Sequence, residues 1–307
     1  MLKKIVFMGT PDFSVPILKS LYQNGYPVNT VYCQPPKRSL RGQKYNKSPV
    51  HKMAELLCIE IRTPSTLKDN REEYIFLKEF KPDLVIVVAY GQLIPKNYLN
   101  LSKHGFINIH ASLLPKLRGA APIQRAIMNL DEETGISIMK INEKLDSGPV
   151  MMQKKVNITR EMNAEELNNQ LSVISSKLIL ECIDKIDEGN AIFISQDEKK
   201  STYAKKITKE EGKINWNIDS ENILAKINSL YPNPGAWFNF MGERYKILKA
   251  IRSEINGEIG QVLDDNLTIG CKKKSIKIIE IQRQGKNKQN SKDFLLGSKI
   301  KKGSSLV

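Results

Sequence analysis

The chain has little cysteine: four residues in 307, at Cys33, Cys58, Cys182 and Cys271. None forms a CxxC pair, so the spacing argues against a disulfide framework and against a zinc site, and it suits a reducing compartment. No metal site is expected anywhere in the chain. Long apolar runs are missing too, and none approaches the ~18 residues needed to span a membrane. No signal peptide is expected, because Lys3 and Lys4 lead directly into an apolar segment of strand length. Together these absences lead us to expect a cytoplasmic protein. The dinucleotide fingerprint G-x-G-x-x-G is also lacking. Gly9-Thr10-Pro11-Asp12-Phe13 follows the first strand, but Pro11 removes a backbone donor, so a plain strand-to-helix turn is expected there. There are no internal repeats.

What is present is positive charge. Lys+Arg number 48 against 33 Asp+Glu, a formal net charge of +15. Such a balance suits a polyanionic partner such as RNA or DNA, or reflects lysine used for solubility. The excess is denser at the C-terminal end. Residues 208–307 carry 18 Lys+Arg against 11 Asp+Glu, while the first 207 residues carry 30 against 22. The last third is therefore the better candidate for a nucleic-acid face. Hydrophobic residues at 40% and charged residues at 26% exclude wholesale disorder. The length is enough for two domains.

The N-terminal half alternates strand-like and helix-like segments. Ile5 to Met8 reads as a strand, Val15 to Leu21 as a helix, Val28 to Cys33 as a strand and Pro49 to Leu57 as a helix started by proline. Leu84 to Ala89 is an apolar run rich in β-branched residues, the signature of a central parallel strand buried on both faces. Phe106 to His110 is a strand with a polar end, followed by helices at Ile123 to Leu130 and Glu165 to Ile186. This alternation predicts an open, doubly wound α/β sheet. After Thr202-Tyr203 the pattern changes to one helix near Ser220 to Leu230 and short strands at Tyr245 to Leu248, Leu267 to Cys271 and Ser275 to Ile281, with turn signals between them. A small OB-like β-barrel is predicted, with a boundary near Lys205 to Lys209, giving domains over 1–204 and 205–307. The last residues, from Lys299 to Val307, are expected to fray.

The chemistry concentrates between Asn108 and Gln124. Asn108 and His110 lie two apart on one strand, hence on one face. They sit at its C-terminal end, where open α/β sheets place their sites. An asparagine amide can hold a developing oxyanion, and a histidine can act as acid, base or donor. Taken alone, a histidine at a strand end is more often a structural hydrogen-bonder, and His51 and His104 are read as structural. Asp146 lies in the breaker-rich turn Leu145-Asp146-Ser147-Gly148-Pro149. It either stabilises that turn or faces His110 and orients the imidazole, and spacing does not decide between them. Residues 34–44 form a basic segment with Lys37, Arg38, Arg41 and Lys44. It is long for a strand-to-helix loop, and it suits either a solvated loop or an arm that grips phosphates.

These segments together resemble the methionyl-tRNA formyltransferases. The resemblance runs over nearly the whole chain: KIVFMGTPDFSVPIL at the start, QPPKRSLRGQK in the basic segment, NIHASLLPKLRGAAPIQRAI in the core, LDSGPV in the turn and NSLYPNPGAW in the tail. Ser112-Leu113-Leu114-Pro115 is shared with other formyl-folate enzymes, while Arg118-Gly119-Ala120-Ala121-Pro122 and the basic segment narrow the match to the tRNA branch. The resemblance implies a Rossmann-like formyltransferase domain followed by a small β-barrel that contacts tRNA. It implies 10-formyltetrahydrofolate as formyl donor, methionyl initiator tRNA as acceptor, and no metal. Carried over residue by residue, Asn108, His110 and Asp146 are catalytic, Ser112 to Pro115 contact folate, and Arg41 reaches the tRNA acceptor end with Lys37, Arg38 and Lys44 beside it. Phe13 would help line the methionine site. Leu117 departs from the pattern, which usually has an aromatic residue there. Nothing in the chain demands more than a monomer. The competing readings are a formyltransferase with a small acceptor, a formyl-folate hydrolase and a non-catalytic RNA-binding protein on the same scaffold. The basic segments speak against a small acceptor, and the full motif context speaks against a non-catalytic protein.

Overall fold

A computed structural model describes residues 2–39 and 44–307. The chain divides into two compact units, neither of them contiguous. The first comprises 1–119, 134–156 and 168–203, and the second 120–133, 157–167 and 204–307.

In chain order the elements are β1 (Ile5–Gly9), α1 (Val15–Gln23), β2 (Val28–Tyr32), β3 (Lys37–Ser39), β4 (Lys44–Asn46), α2 (Pro49–Leu56), β5 (Glu60–Arg62), α3 (Arg71–Phe80), β6 (Leu84–Val88), β7 (Phe106–His110), β8 (Arg118–Gly119), α4 (Pro122–Met128), β9 (Glu133–Lys140), β10 (Val150–Asn157) and α5 (Ala164–Asp187). They continue with β11 (Tyr203–Ala204), α6 (Ser220–Leu230), β12 (Ala236–Phe240), β13 (Glu243–Ser253), β14 (Thr268–Gly270), β15 (Ser275–Arg283), β16 (Gln289–Asn290) and α7 (Ser291–Gly297).

The first unit is built on a seven-stranded sheet in the order β10-β9-β7-β6-β1-β2-β5. The pairs of β1 with β2 and β6, of β2 with β5 and of β6 with β7 are parallel, whereas β9 runs antiparallel to β7. The chain winds outward from β1 through β2 to β5, then returns to the other side of β1 and winds outward through β6 and β7. Every residue of β1 and β6 is buried, as a strand covered on both faces requires. The strand ends around that reversal are tied by side chains of the first turn. Ser14 Oγ donates to the Val88 carbonyl at 2.7 Å and Thr10 Oγ1 to the Tyr90 carbonyl at 2.8 Å. The turn joins β1 to α1 through a short 3-10 helix at Asp12–Ser14.

Local chemistry sets the helix starts. Ser48 caps α2 by accepting the His51 N–H at 3.1 Å, with Pro49 in the first turn. Asn70 caps α3 by accepting the Glu73 N–H at 3.2 Å. Each satisfies one of the amides a helix leaves without a partner. The basic segment is not simply a loop: Lys37 pairs with Asn46, Arg38 with Tyr45 and Ser39 with Lys44 in an antiparallel hairpin.

The second unit holds the antiparallel sheet β12-β13-β15-β14, with β16 added along β15. The register of β13 against β15 shifts on both sides of Lys249, which bends the strand and lets the sheet curve. Its core contains Trp216, Phe238, Tyr245 and Phe294, whose rings meet at 5.5–5.9 Å, together with Ile223, Ile227 and Leu230 of α6. Met128 of α4 packs against this core, and Arg125 pairs with Glu211 at 2.7 Å. The expected fraying of the C-terminus does not occur. Ile300 and Leu306 are buried, Ser305 bridges Gln261, and Trp216 Nε1 donates to the Leu306 carbonyl at 3.1 Å. Burying two large apolar side chains outweighs the entropy that would release the tail.

Candidate active site

Asn108 and His110 project from the C-terminal end of β7, whose register against β9 sets Asn108 beside Met139 and His110 beside Ser137. His110 is 6% exposed. Its Nε2 lies 2.9 Å from the Leu117 carbonyl oxygen. A carbonyl only accepts, so Nε2 carries the hydrogen and Nδ1 is the ring atom turned to the rest of the site. Asp146 Oδ2 faces that Nδ1 at 3.6 Å, and Asp146 Oδ1 lies 3.5 Å from Asn108 Nδ2. The turn thus brings the carboxylate between the two β7 side chains. The strong bond to Asp146 comes from elsewhere: the Gly119 N–H donates to Oδ2 at 2.8 Å. What fixes the imidazole is therefore the Leu117 carbonyl, and what fixes the carboxylate is the Gly119 amide.

The backbone that carries these groups is itself constrained. Leu117 has φ 58° and Asp146 φ 47°, both in the left-handed region. That region is uncommon for residues other than glycine, and sites where the surroundings hold a residue there are often functional. In the Asp146 turn, Ser147 Oγ donates to Asn142 Oδ1 and to the Lys144 carbonyl. Gly148 is required by proximity, since a Cβ there would lie 1.8 Å from the Lys140 carbonyl oxygen.

The string Ser112 to Pro115 is supported from beneath by Ser137 of β9, which is fully buried. Ser137 Oγ donates to the Ser112 carbonyl at 2.6 Å and accepts the Leu114 N–H at 3.0 Å and a Gln153 amide hydrogen at 2.8 Å. Gln153 also donates to the Leu114 carbonyl at 2.9 Å, and Ser112 Oγ donates to the Lys116 carbonyl. Ser112 and Leu114 are buried, which leaves Leu113 and Pro115 as the partly exposed members.

Arg118 is the largest fully buried side chain, 1% exposed. Its guanidinium donates from Nε and one terminal nitrogen to Gln196 Oε1 at 3.0 and 2.8 Å, and it pairs with Glu198 at 2.9 Å. The Glu198 bond holds the guanidinium pKa above its ordinary value despite burial, and the same bond holds the Glu198 carboxyl below its own. Ser137, Gln153, Gln196 and Thr202 carry no signal in the sequence, because they lie 16 to 85 residues from the groups they hold. Arg118 stood inside the core string, but its burial was not legible.

Of the other residues, His51 lies in α2, where its N–H donates to the Ser48 cap and its Nε2 is 3.5 Å from Glu55 Oε1, and the His104 N–H donates to the Asp83 carbonyl. Phe13 is buried, and its carbonyl accepts from Ser172 Oγ. Lys37 is exposed at the start of the hairpin. Arg38 and Lys44 are described by their backbone ladder alone, and Arg41 lies outside the described residues.

The model of the formyl transferase family matches residues 3–183, and that of the formyl transferase C-terminal domain matches 206–299. The methionyl-tRNA formyltransferase of Pelagibacter ubique is 60% identical over 308 residues, spanning 100% of this chain and 99% of the relative. The chain belongs to the methionyl-tRNA formyltransferase family. Another methionyl-tRNA formyltransferase, from a Chelativorans species, is 41% identical over 99% of both chains. Among solved structures, an N-formyltransferase from Helicobacter canadensis, in complex with folinic acid and dTDP-3-aminofucose, superposes with TM-score 0.69 at 20% identity over 92% of this chain and 100% of its own. HypX from Aquifex aeolicus gives TM-score 0.69 at 18% identity over 97% of this chain, which spans about half of HypX, 48%. At such identities the two structures share the fold alone. As a methionyl-tRNA formyltransferase family member, the chain is a formyl-group transferase with a Rossmann-like first domain. Among the described residues, no helix is long and apolar enough to cross a membrane.

Proposed function

We propose that this chain transfers the formyl group of 10-formyltetrahydrofolate to the α-amine of methionine on initiator tRNA, acting as a cytoplasmic monomer. In this reading residues 1–204 bind the formyl donor and carry the chemistry, and 205–307 contact tRNA. Asn108, His110 and Asp146 are the catalytic groups. Ser112, Leu113, Leu114 and Pro115 shape the folate side, Leu113 and Pro115 presenting the accessible surface. Lys37, Arg38, Arg41 and Lys44 engage tRNA phosphates.

One observation carries the proposal: Asn108 Nδ2 and His110 Nδ1 both face Asp146, at 3.5 and 3.6 Å, too far for a tight bond. Two nitrogens are therefore held in place without being consumed, the His110 one a donor when the ring carries both protons. That donor set fits a formyl group, which needs N–H donors for its oxygen and a base for the amine that attacks its carbon. Asn108 Nδ2 and the protonated His110 Nδ1 donate to the formyl oxygen as negative charge builds on it. One such preorganised donor contributes roughly 3 kcal/mol to the transition state. Asp146, held by Gly119, accepts the proton that the methionyl amine releases as its bond to carbon forms, directly or through water. The bond from carbon to N10 then breaks, and the proton passes to that nitrogen, so atoms and charge balance. No side-chain nucleophile is used, and the Ser112 hydroxyl is committed to the Lys116 carbonyl.

A comparison of acceptors tests the proposal. With 10-formyltetrahydrofolate as donor, the chain is offered methionyl-tRNA, a nucleotide-linked amino sugar, or water alone. Rapid formylation of methionyl-tRNA alone is the expected result. Transfer to the amino sugar at a comparable kcat/KM, or release of formate without an acceptor, would replace it with a small-acceptor or hydrolase reading.

A further inference from the structure

We propose that Gln196 is a positioning residue for the transfer step, because its side-chain amide fixes the turn that presents Asp146 to Asn108 and His110. The proposal rests on the reading of those three residues as the transfer site.

The Gln196 amide is used in both directions. Its Nε2 donates to the main-chain carbonyls of Asp146 at 2.9 Å and Gly148 at 2.7 Å. Its Oε1 accepts two hydrogens from the buried Arg118. The turn is thereby joined, through one planar group, to the residue that lies between Leu117 and Gly119. Those are the two residues whose backbone holds the His110 ring and the Asp146 carboxylate. The distance from carboxylate to imidazole is set by these two turns, and Gln196 is the side chain that spans them.

Gln196 is itself pinned on either side. Ile194 exchanges two backbone hydrogen bonds with Val150, both 2.8 Å. Thr202 accepts the Leu117 N–H at its hydroxyl and the Arg118 N–H at its carbonyl, both at 2.9 Å. Neither anchor touches the Asp146 turn as Gln196 does. Because Asp146 makes no short contact with His110 or Asn108, those side chains do not hold it in register, and its left-handed backbone must be maintained from outside the trio.

A purely structural role, keeping Arg118 satisfied, makes a different forecast for one substitution. Gln196→Glu leaves an acceptor for Arg118 but replaces the donor facing the two carbonyls with a carboxylate oxygen, which repels them. The experiment measures formyl transfer to methionyl-tRNA for Gln196→Glu, Gln196→Leu and Asp146→Asn, and for Gln196→Glu combined with Asp146→Asn, with circular dichroism to check folding. The expected result is a drop of about tenfold or more in kcat for Gln196→Glu, with KM for tRNA within about twofold of the parent. Adding Gln196→Glu to Asp146→Asn should then cause little further loss, because the two act through one group. Gln196→Leu serves as the readout where the glutamate variant folds poorly. Full activity in folded Gln196→Glu, or the same fold-loss in the Asp146→Asn background, would overturn the positioning role while leaving the trio intact. Full activity in Asp146→Asn would overturn the reading of the site itself, and the positioning role with it.

Discussion

At the scale of single residues, the hydrogen on His110 decides what the site can do. The Leu117 carbonyl commits Nε2 as a donor, so any charge or proton the ring supplies to a substrate is read out at Nδ1. This work is done by a main-chain carbonyl, so the atom that matters at Leu117 is not in the side chain. That Asn108 and His110 share one face at the end of a strand was legible from their spacing of two. The contact of Asp146 was not, because 36 residues separate it from His110 and only the folded turn brings it back. A different carboxylate gives a stability test. Asp83 accepts the N–H groups of Lys3 and Lys4 at 2.7 and 3.0 Å. Burial, the largest single effect, pushes its pKa upward, but these two bonds together with the nearby Lys103 charge hold it below the usual value. A carboxyl depressed on folding stabilises the protein above its unfolded pKa of about 3.9, and that contribution disappears as pH falls through the lower folded value. Asp83→Asn is therefore expected to cost about 1 kcal/mol at pH 7, with the gap to the parent narrower at about pH 3, below the unfolded pKa. Urea denaturation at the two pH values measures it, and an undiminished gap in acid would contradict the assignment.

At the scale of elements, α1, α2 and α5 and the central strands β1 and β6 followed from their apolar patterns, since β1 and β6 are buried on both faces, whereas α3 was not read from the sequence. The strands that escaped notice are those whose pattern is broken for a local reason. In β9 the break is Gly135, where a Cβ would lie 2.2 Å from the Lys154 carbonyl oxygen. The strands β3 and β4 read as a loop because three-residue strands of basic and polar residues carry no apolar alternation. α3 is set by its Asn70 cap and by Lys81 in the left-handed conformation at its end. The turn between β9 and β10 combines both themes, with breakers that each have a structural cause. Gly148→Ala should force that turn away from Lys140, with overpacking of this kind costing about 1–3 kcal/mol. The expected outcome is a lowered Tm together with a kcat loss, as Asp146 shifts with the turn. A variant with a reduced Tm and an unchanged kcat would mean that the turn can move without carrying Asp146 with it.

At the scale of the molecule, the division of the chain into two kinds of architecture was visible in the sequence, as alternating βα units followed by short strands. The recruitment of 120–133 and 157–167 into the second unit was not. It depends on where apolar faces such as that of α4 find cover, and linear pattern does not say this. The positive charge was visible directly. On the proposed reading it serves the tRNA backbone, so affinity for tRNA should fall by about 10³-fold between 50 and 200 mM salt if roughly six phosphates are engaged. Filter binding over that range measures the slope, and a flat line would remove the charge from the account.

The most direct test of the central claim is single-turnover formyl transfer to methionyl-tRNA by Asn108→Ala and His110→Ala at saturating concentrations of both substrates. The account requires the rate of each to fall by about 10²-fold or more, with tRNA affinity close to that of the parent. A near-parental rate in either folded variant would contradict the role assigned to that residue and place the stabilisation of the formyl oxygen elsewhere.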